Sequence, residues 1–226
     1  MPAFFARREG GRAVIEGDDA RHLARSLRAK VGEEVEVIDP AGFMLTVRLD
    51  VVSPLRVAGV VTHERTHQPE AQARVTVAIA NLPAAALELV LSRCTEAGAF
   101  SFCVYQADRS VARGAKPERW AVICREAAML AGRLAIPTVL SAPSLEAAVR
   151  DAPTPPVMLA REAAEPLSAM AAPRHLTLLI GPEGGWTERE LELVDRKATL
   201  GPRNLRADTA ALVGLAVALA SRDATA

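Results

Sequence analysis

Two glycine-bearing turns near the carboxyl end hold the residues whose types and spacing point most directly to chemistry. The first, Gly181-Pro182-Glu183-Gly184-Gly185, follows the apolar run Leu176–Ile180 and leads to Thr187 and Glu190, which are spaced as a helix-opening capping box. Three glycines with Pro182 and Glu183 are more than a structural turn needs, and turns at strand carboxyl ends are where open α/β sheets gather ligands. The spacing is neither Gly-x-Gly-x-x-Gly nor a Walker sequence, which excludes dinucleotide and nucleoside-triphosphate loops of those kinds. The second turn lies within Ala198–Ala210, where Arg203 and Arg206 stand just before a helix opened by Asp208 and Thr209. The positive end of a helix dipole disfavours cations, so these arginines imply either an anionic partner or a structural salt bridge to a nearby carboxylate.

A third set sits near the amino end. Over a helix expected from Asp19 to Ala29, Arg21, Arg25 and Arg28 fall at i, i+4 and i+7 and share one face, with His22 beside them. That face reads as a phosphate-binding stripe or as a solvated surface paired with Glu33, Glu34 and Glu36. His63 and His67 are four apart, but no helix is expected there and no carboxylate is suitably spaced, so no metal site is assigned. Cys94, Cys103 and Cys124 show no Cys-x-x-Cys pairing and read as reduced core thiols.

The elements that position these residues fall into two groups. Up to about His67 the pattern is short strands and turns, including a hairpin from Val35–Ile38 through Asp39–Gly42 to Leu45–Leu49. Polar Glu64–Ala73, with Pro69, reads as a linker, placing the boundary near residue 70: a small β domain over 1–69 and a second domain over 70–226. In the second, apolar strands interleave with helices: Val75–Leu82, Leu87–Ala97, Phe102–Gln106, Glu118–Ala131, Val157–Ala160, Leu176–Ile180, Glu188–Asp195 and Asp208–Ser221. This alternation predicts an α/β domain with a mainly parallel sheet.

Composition limits the function classes. In 226 residues, 27 basic side chains balance 27 acidic ones, so no global field draws the chain onto a polyanion and any such partner needs a local basic patch. Only Lys30, Lys116 and Lys197 are lysines; the arginine excess suits phosphate recognition but also follows from a codon bias. Ala210–Ala220 is too short to span a membrane and Met1-Pro2-Ala3 lacks signal-peptide order, giving the expectation of a cytoplasmic protein without a membrane partner.

Gly181–Gly185 and Leu200–Ala210 together resemble the two signature loops of the RsmE family of SPOUT methyltransferases, which methylate N3 of a uridine in 16S ribosomal RNA. Ala3–Ala6, His22–Arg28 and the turn at Gly42 are similar to that family's PUA-like RNA-binding domain, and Leu91–Gly98 and Gly132-Arg133 fall where its middle motifs fall. The resemblance implies a C-terminal trefoil knot that holds S-adenosylmethionine, a homodimer, and 16S rRNA or the small ribosomal subunit as partner. It implies that Leu179, Ile180, Gly181, Glu183, Gly184, Gly185, Leu200, Gly201, Asn204, Leu205, Arg206 and Ala210 line the cofactor pocket, and that Arg21, His22, Arg25, Arg28 and Arg133 meet RNA.

For the chemistry, Arg203 or Arg206 would stabilise charge on the uracil carbonyls or grip a phosphate, and Asp208 is the nearest proton acceptor. The chain departs from the family at Ala86, Met129, Leu130 and Ala135, where relatives carry Lys, Glu, Gln and Arg, and at Asp208, usually Glu. Ala86, Met129 and Leu130 keep in view a non-catalytic RNA-binding or ribosome-assembly relative, and the resemblance to SPOUT proteins also leaves open a ribose 2′-O-methyltransferase, as other members of that superfamily are.

Overall fold

Alternation of apolar and polar residues builds the first sheet of the computed structural model, which describes residues 3–170 and 174–223. Its strands are β1 (Phe4–Phe5), β2 (Arg7–Glu9), β3 (Arg12–Glu16), β4 (Glu34–Asp39), β5 (Phe43–Val52) and β6 (Arg56–Thr66), in the order β1-β4-β5-β6-β3-β2. In β4, Val35 and Val37 point into the core while Glu34 and Glu36 face solvent, the period-two pattern of a half-buried strand. The β4–β5 hairpin closes where Asp39 Oδ1 accepts the Ala41 N–H at 3.0 Å, and Gly42 takes φ 106, a conformation that suits glycine.

The chain divides into two compact units. The first comprises Met1–Glu70 and Ala128–Ala135; the second comprises Ala71–Ala127 and Ile136–Ala226. A single cut near residue 70 therefore does not describe the division, because Ala128–Ala135 returns to the first unit. The polar stretch read as a linker from Glu64 is also shorter than expected, since β6 runs on through Thr66.

Two charged groups tie the returning segment down. Glu70 Oε1 accepts the N–H groups of Leu134 and Ala135 at 2.9 and 3.2 Å, while Arg133 donates to Oε2 through Nε and Nη2 at 3.1 and 2.5 Å. The Arg133 side chain is only 5% exposed, so its charge is answered by Glu70 and not by solvent. Arg133 was expected to meet RNA; burial of its guanidinium in this ion pair corrects that expectation. Met129 is buried beside Phe4 and Leu23, which explains an apolar residue at that position.

The helix expected over Asp19–Ala29 is shorter and irregular. α1 (Gly17–Arg21) passes into a π-helical turn, His22–Ser26, which buries Ala20 and Leu23 in the core. The end is closed by the Ala29 N–H bonding back to the Leu23 carbonyl at 3.1 Å, with Arg28 between them at φ 54. Arg28 thus occupies a left-handed capping position normally given to glycine, and lies beyond the helix that was to carry it.

In the second unit, strands β7 (Arg74–Ala80), β8 (Ser101–Tyr105), β9 (Thr138–Ala142), β10 (Val157–Leu159), β11 (His175–Ile180) and β12 (Lys197–Ala198) pair in parallel in the order β12-β10-β11-β7-β8-β9. The intervening helices are α2 (Ala84–Glu96), α3 (Pro117–Ala131, of which the residues from Ala128 on belong to the first unit), α4 (Leu145–Arg150), α5 (Glu188–Glu192) and α6 (Ala207–Asp223). Both sheet faces are covered: Val75, Val77 and Ile79 of β7 join α2 and α6 residues in one core, and Ala78 and Ala80 join Leu145 and Ala148 of α4 in another. Double burial is why these strands read as unbroken apolar runs. Cys94 and Cys124 sit inside the first of these cores, and burial pushes the Cys94 thiol up to about 12. No helix among the described residues is long and apolar enough to cross a membrane.

Glu70→Ala removes the carboxylate that Arg133 Nε and Nη2 bond and the acceptor of two backbone N–H groups, so it is expected to lower unfolding stability by about 3 kcal/mol in denaturant titration. Wild-type stability in that variant would show that Arg133 does not depend on the pair.

Candidate functional site

The carboxyl ends of β10, β11 and β12 open onto one cavity of about 650 Å³. β11 ends at Ile180 and the chain turns through Gly181–Gly185, with the Gly185 N–H donating to the Pro182 carbonyl at 2.9 Å and Gly185 at φ 72. Trp186 then folds back over the turn. Its ring leaves no room at Gly181, where a Cβ would come within 2.8 Å of Trp186 Cε2, and its Nε1 donates to the Leu159 carbonyl at the end of β10 at 2.9 Å.

The loop is anchored from below and beside. Tyr105, fully buried at the end of β8, donates its hydroxyl to the Ile180 carbonyl at 2.7 Å, and burial holds its phenol well above the usual range. Glu190 is fully buried and completes the capping box foreseen from sequence, its Oε2 accepting the Thr187 N–H at 2.9 Å. The Asp108 N–H reaches Glu190 Oε1 at 3.0 Å, and Arg189 pairs with both Asp108 and Glu146. The Arg189 guanidinium holds the Asp108 carboxyl below its ordinary value, helped by the Thr187 hydroxyl, and contributes behind Ser144 to the same effect on Glu146. With both values depressed, this pairing is present above the ordinary carboxylate range and is lost only as pH falls through the lowered values.

The second loop faces the first. Thr199 is held by the Glu165 carbonyl at 2.9 Å through its N–H and by the Arg161 carbonyl at 3.1 Å through its hydroxyl, and Gly201 turns the chain at φ 101. Arg206 lies 3.9 Å from Glu183 of the first loop and 3.7 Å from Asp208. Its side chain is 72% exposed, so these are weak contacts that leave the guanidinium available at the rim. For Arg203, no carboxylate partner occurs among the described residues.

Of the residues carried over to the pocket, Ile180, Gly181, Glu183, Gly184, Gly185, Leu200, Gly201, Asn204, Leu205, Arg206 and Ala210 line this cavity. Leu179 does not. Strand alternation turns it to the opposite sheet face, where it packs with Ala78, Tyr105 and Met158. Arg203 is in the wall, whereas Asp208 is not: its Oδ1 accepts the Thr209 N–H at 2.7 Å at the start of α6. Sequence reasoning missed Leu159, Ala160, Arg161, Glu162, Pro182, Trp186, Leu191 and Ala207 in the wall. The β10 residues give no local signal because their role comes from pairing between β11 and β12; the Pro182 and Trp186 positions, beside the glycines, were open to being found.

Away from the cavity, Arg21, His22, Arg25 and Arg28 are all exposed on the first unit. Arg21 pairs with Asp18 at 2.7 Å, and the His22 ring lies 5.9 Å from that of Phe4. The pairing considered with Glu33, Glu34 and Glu36 does not form. Glu33 accepts the Lys30 N–H, Glu34 accepts from Thr62 and Glu36 pairs with Arg65. Arg25 and Arg28 have no ion-pair partner among the described residues. His63 pairs with Thr46 in the β5–β6 ladder, and the His67 ring is occupied by the Gly132 carbonyl at 2.6 Å, so the two histidines do not converge.

A family model described as an RNA methyltransferase domain matches residues 69–219, and one described as an RNA methyltransferase PUA domain matches residues 15–44. Ribosomal RNA small subunit methyltransferase E of Mycobacterium bovis is 35% identical over 91% of this chain and 85% of its own length; the Bacillus subtilis protein of the same name is 31% identical over 89% and 87%. A crystal structure of the Neisseria gonorrhoeae protein of that name, bound to S-adenosyl methionine, aligns with TM-score 0.85 at 26% identity, covering 96% of this chain and 95% of that one. With the glycine loops, the parallel sheet and the PUA-like first unit all in place, the chain belongs to the ribosomal RNA small subunit methyltransferase E family.

Proposed function

We propose that this protein is an S-adenosylmethionine-dependent methyltransferase acting on N3 of a uridine in 16S ribosomal RNA, with the cofactor held between the two glycine loops. The observation that carries the reading is the cavity itself. At about 650 Å³ it falls within the range of small-molecule sites. Its wall combines apolar Leu159, Ile180, Leu200 and Leu205 with turns in which glycines bring backbone polar groups to the surface, a donor set suited to an adenine edge and a nucleoside. The S-adenosyl methionine in the Neisseria gonorrhoeae structure supports the same assignment.

When bound, S-adenosylmethionine supplies an electrophilic methyl group on a sulfonium. The protein's part is alignment, to within about 3 to 3.5 Å of the attacking atom, and charge control. Arg203 and Arg206, at the cavity wall, are placed to stabilise negative charge on the uracil carbonyls as the N3 proton leaves. Asp208 was the nearest acceptor for that proton by sequence; its position outside the wall and beside Arg206 favours orienting the guanidinium instead. Exposed Arg25 and Arg28, with Arg21 and His22, would dock the surrounding RNA by phosphate contacts, and an accessible loop or junction uridine would enter the site.

Three further parts of this reading rest on family membership with local support. Thr199 running beside Glu165 and Leu167 is consistent with a trefoil knot, and a stripe of exposed Val213, Ala216 and Ala220 on α6 suits a second copy in a homodimer. The protein would work in the cytoplasm, where ribosomes are made, with Met1–Glu70 and Ala128–Ala135 as the RNA-binding module and the remaining residues as the methyltransferase module. The competing reading of a non-catalytic relative is favoured by Ala86 and by Leu130, which is 62% exposed where relatives carry a polar residue.

Incubating small ribosomal subunits that lack the modification with labelled S-adenosylmethionine, then identifying the nucleoside by mass spectrometry, is expected to give N3-methyluridine. A ribose-methylated product would assign the reaction to the 2′-hydroxyl, and no product would favour the non-catalytic reading. In the same assay Arg206→Ala is expected to lower turnover by about 10²-fold or more, as loss of a charge-stabilising donor does. Asp208→Asn is expected to keep turnover within about tenfold, and a larger loss would return the proton-acceptor role to Asp208. The double variant Arg25→Gln, Arg28→Gly is expected to reduce the slope of log affinity against log salt by about 1.5. An unchanged slope would remove the stripe from the RNA interface.

A further inference from the structure

Asp108 and Arg109, consecutive residues just after β8, hold the first glycine loop with opposite polarity. Arg109 Nη1 donates to the carbonyls of Gly184 at 2.9 Å and Trp186 at 3.1 Å. Asp108 accepts the Thr187 hydroxyl at its Oδ2 at 2.9 Å, while its own N–H donates to Glu190. Four consecutive loop residues, Gly184 to Thr187, are thus gripped at three points from one neighbouring segment. Neither side chain belongs to the cavity wall.

The contact is built, not incidental. A Cβ at Gly184 would come within 3.1 Å of Arg109 Cβ, so the loop backbone rests directly on the arginine's stem. Gly185 takes φ 72 between the two accepting carbonyls, and a guanidinium nitrogen reaches both at once where a surface arginine would ordinarily seek a carboxylate. The loop itself has no side chains at Gly184 and Gly185 with which to fix its own shape.

We propose that Asp108 and Arg109 are positioning residues that set the Gly184–Thr187 backbone in the form that receives S-adenosylmethionine. This rests on the cofactor assignment made above. The clamp acts through the loop and touches neither cofactor nor RNA. Both side chains are exposed, so its contribution to global stability is small and its effect falls on cofactor affinity. The Asp108 carboxyl, held down by Arg189 and Thr187, stays ionised and able to accept across the neutral range.

The test is isothermal calorimetry of the full chain with S-adenosylmethionine and S-adenosylhomocysteine, alongside thermal melts and steady-state kinetics. Arg109→Ala is expected to bind about tenfold more weakly, as loss of hydrogen bonds from a charged donor implies, with its melting temperature within a few degrees of wild type. The KM for S-adenosylmethionine should rise by a similar factor while kcat changes little, and Arg109→Lys, able to reach one carbonyl, should fall between. Trp186 supplies a readout of loop shape, because the other tryptophan, Trp120, is buried: acrylamide should quench the variant's fluorescence more than the wild type's. Wild-type affinity in Arg109→Ala would overturn the clamp while leaving the cofactor assignment intact, and a wild-type protein that binds neither compound would overturn both. If Arg109→Ala does not fold, Arg109→Lys and Asp108→Asn decide, and wild-type affinity in both would overturn the proposal.

Discussion

The site depends on β10 being hydrogen-bonded in parallel on both sides, to β11 through Val157↔Leu178 and to β12 through Met158↔Lys197. Neighbouring strands lie about 4.8 Å apart, so β11 and β12 end roughly 10 Å from one another across β10. The turns after Ile180 and Ala198 therefore leave the sheet on the same edge, separated by the width of one strand. Everything that makes the cavity follows from that spacing: Trp186 can reach the Leu159 carbonyl, and Arg206 can lie near Glu183.

A cavity walled by turns needs those turns to be stiff without filling them. The structure achieves this by placing the bracing groups outside the wall. Tyr105 and Glu190 hold the first loop from the buried side, and Asp108, Arg109 and Arg189 hold it from the exposed side. The glycines remain free of side chains where the backbone must approach a ligand. The second loop is braced by Thr199, whose hydroxyl and N–H join it to the segment after β10. Both loops thus owe their geometry to parts of the chain far away in sequence.

That division explains what could be read from the sequence. The apolar run before Gly181, the Thr187–Glu190 capping box and the final helix were legible because periodicity and capping are local properties. The α/β class followed from strands interleaved with helices, and the glycine loops from their composition. What remained hidden was set by tertiary partners. Leu179 and Ile180 look alike in sequence, and only strand alternation sends one away from the cavity. Arg133 reads as available for RNA although Glu70 pairs with its buried guanidinium, and Arg21–Arg28 reads as a regular helix although His22–Ser26 is a π-helical turn. Asp108 and Arg109 carry no local mark, since their contacts with the loop form only where the end of β8 meets it.

The proposed function requires both carboxyl-end loops to hold one ligand together. Hydrogen–deuterium exchange of the intact protein with and without S-adenosylhomocysteine tests it most directly. Slowed exchange in peptides covering Gly181–Thr187 and in those covering Leu200–Ala210, at the same ligand concentration, is the predicted result. Protection confined to one loop, or absent from both while the ligand binds elsewhere, would contradict it.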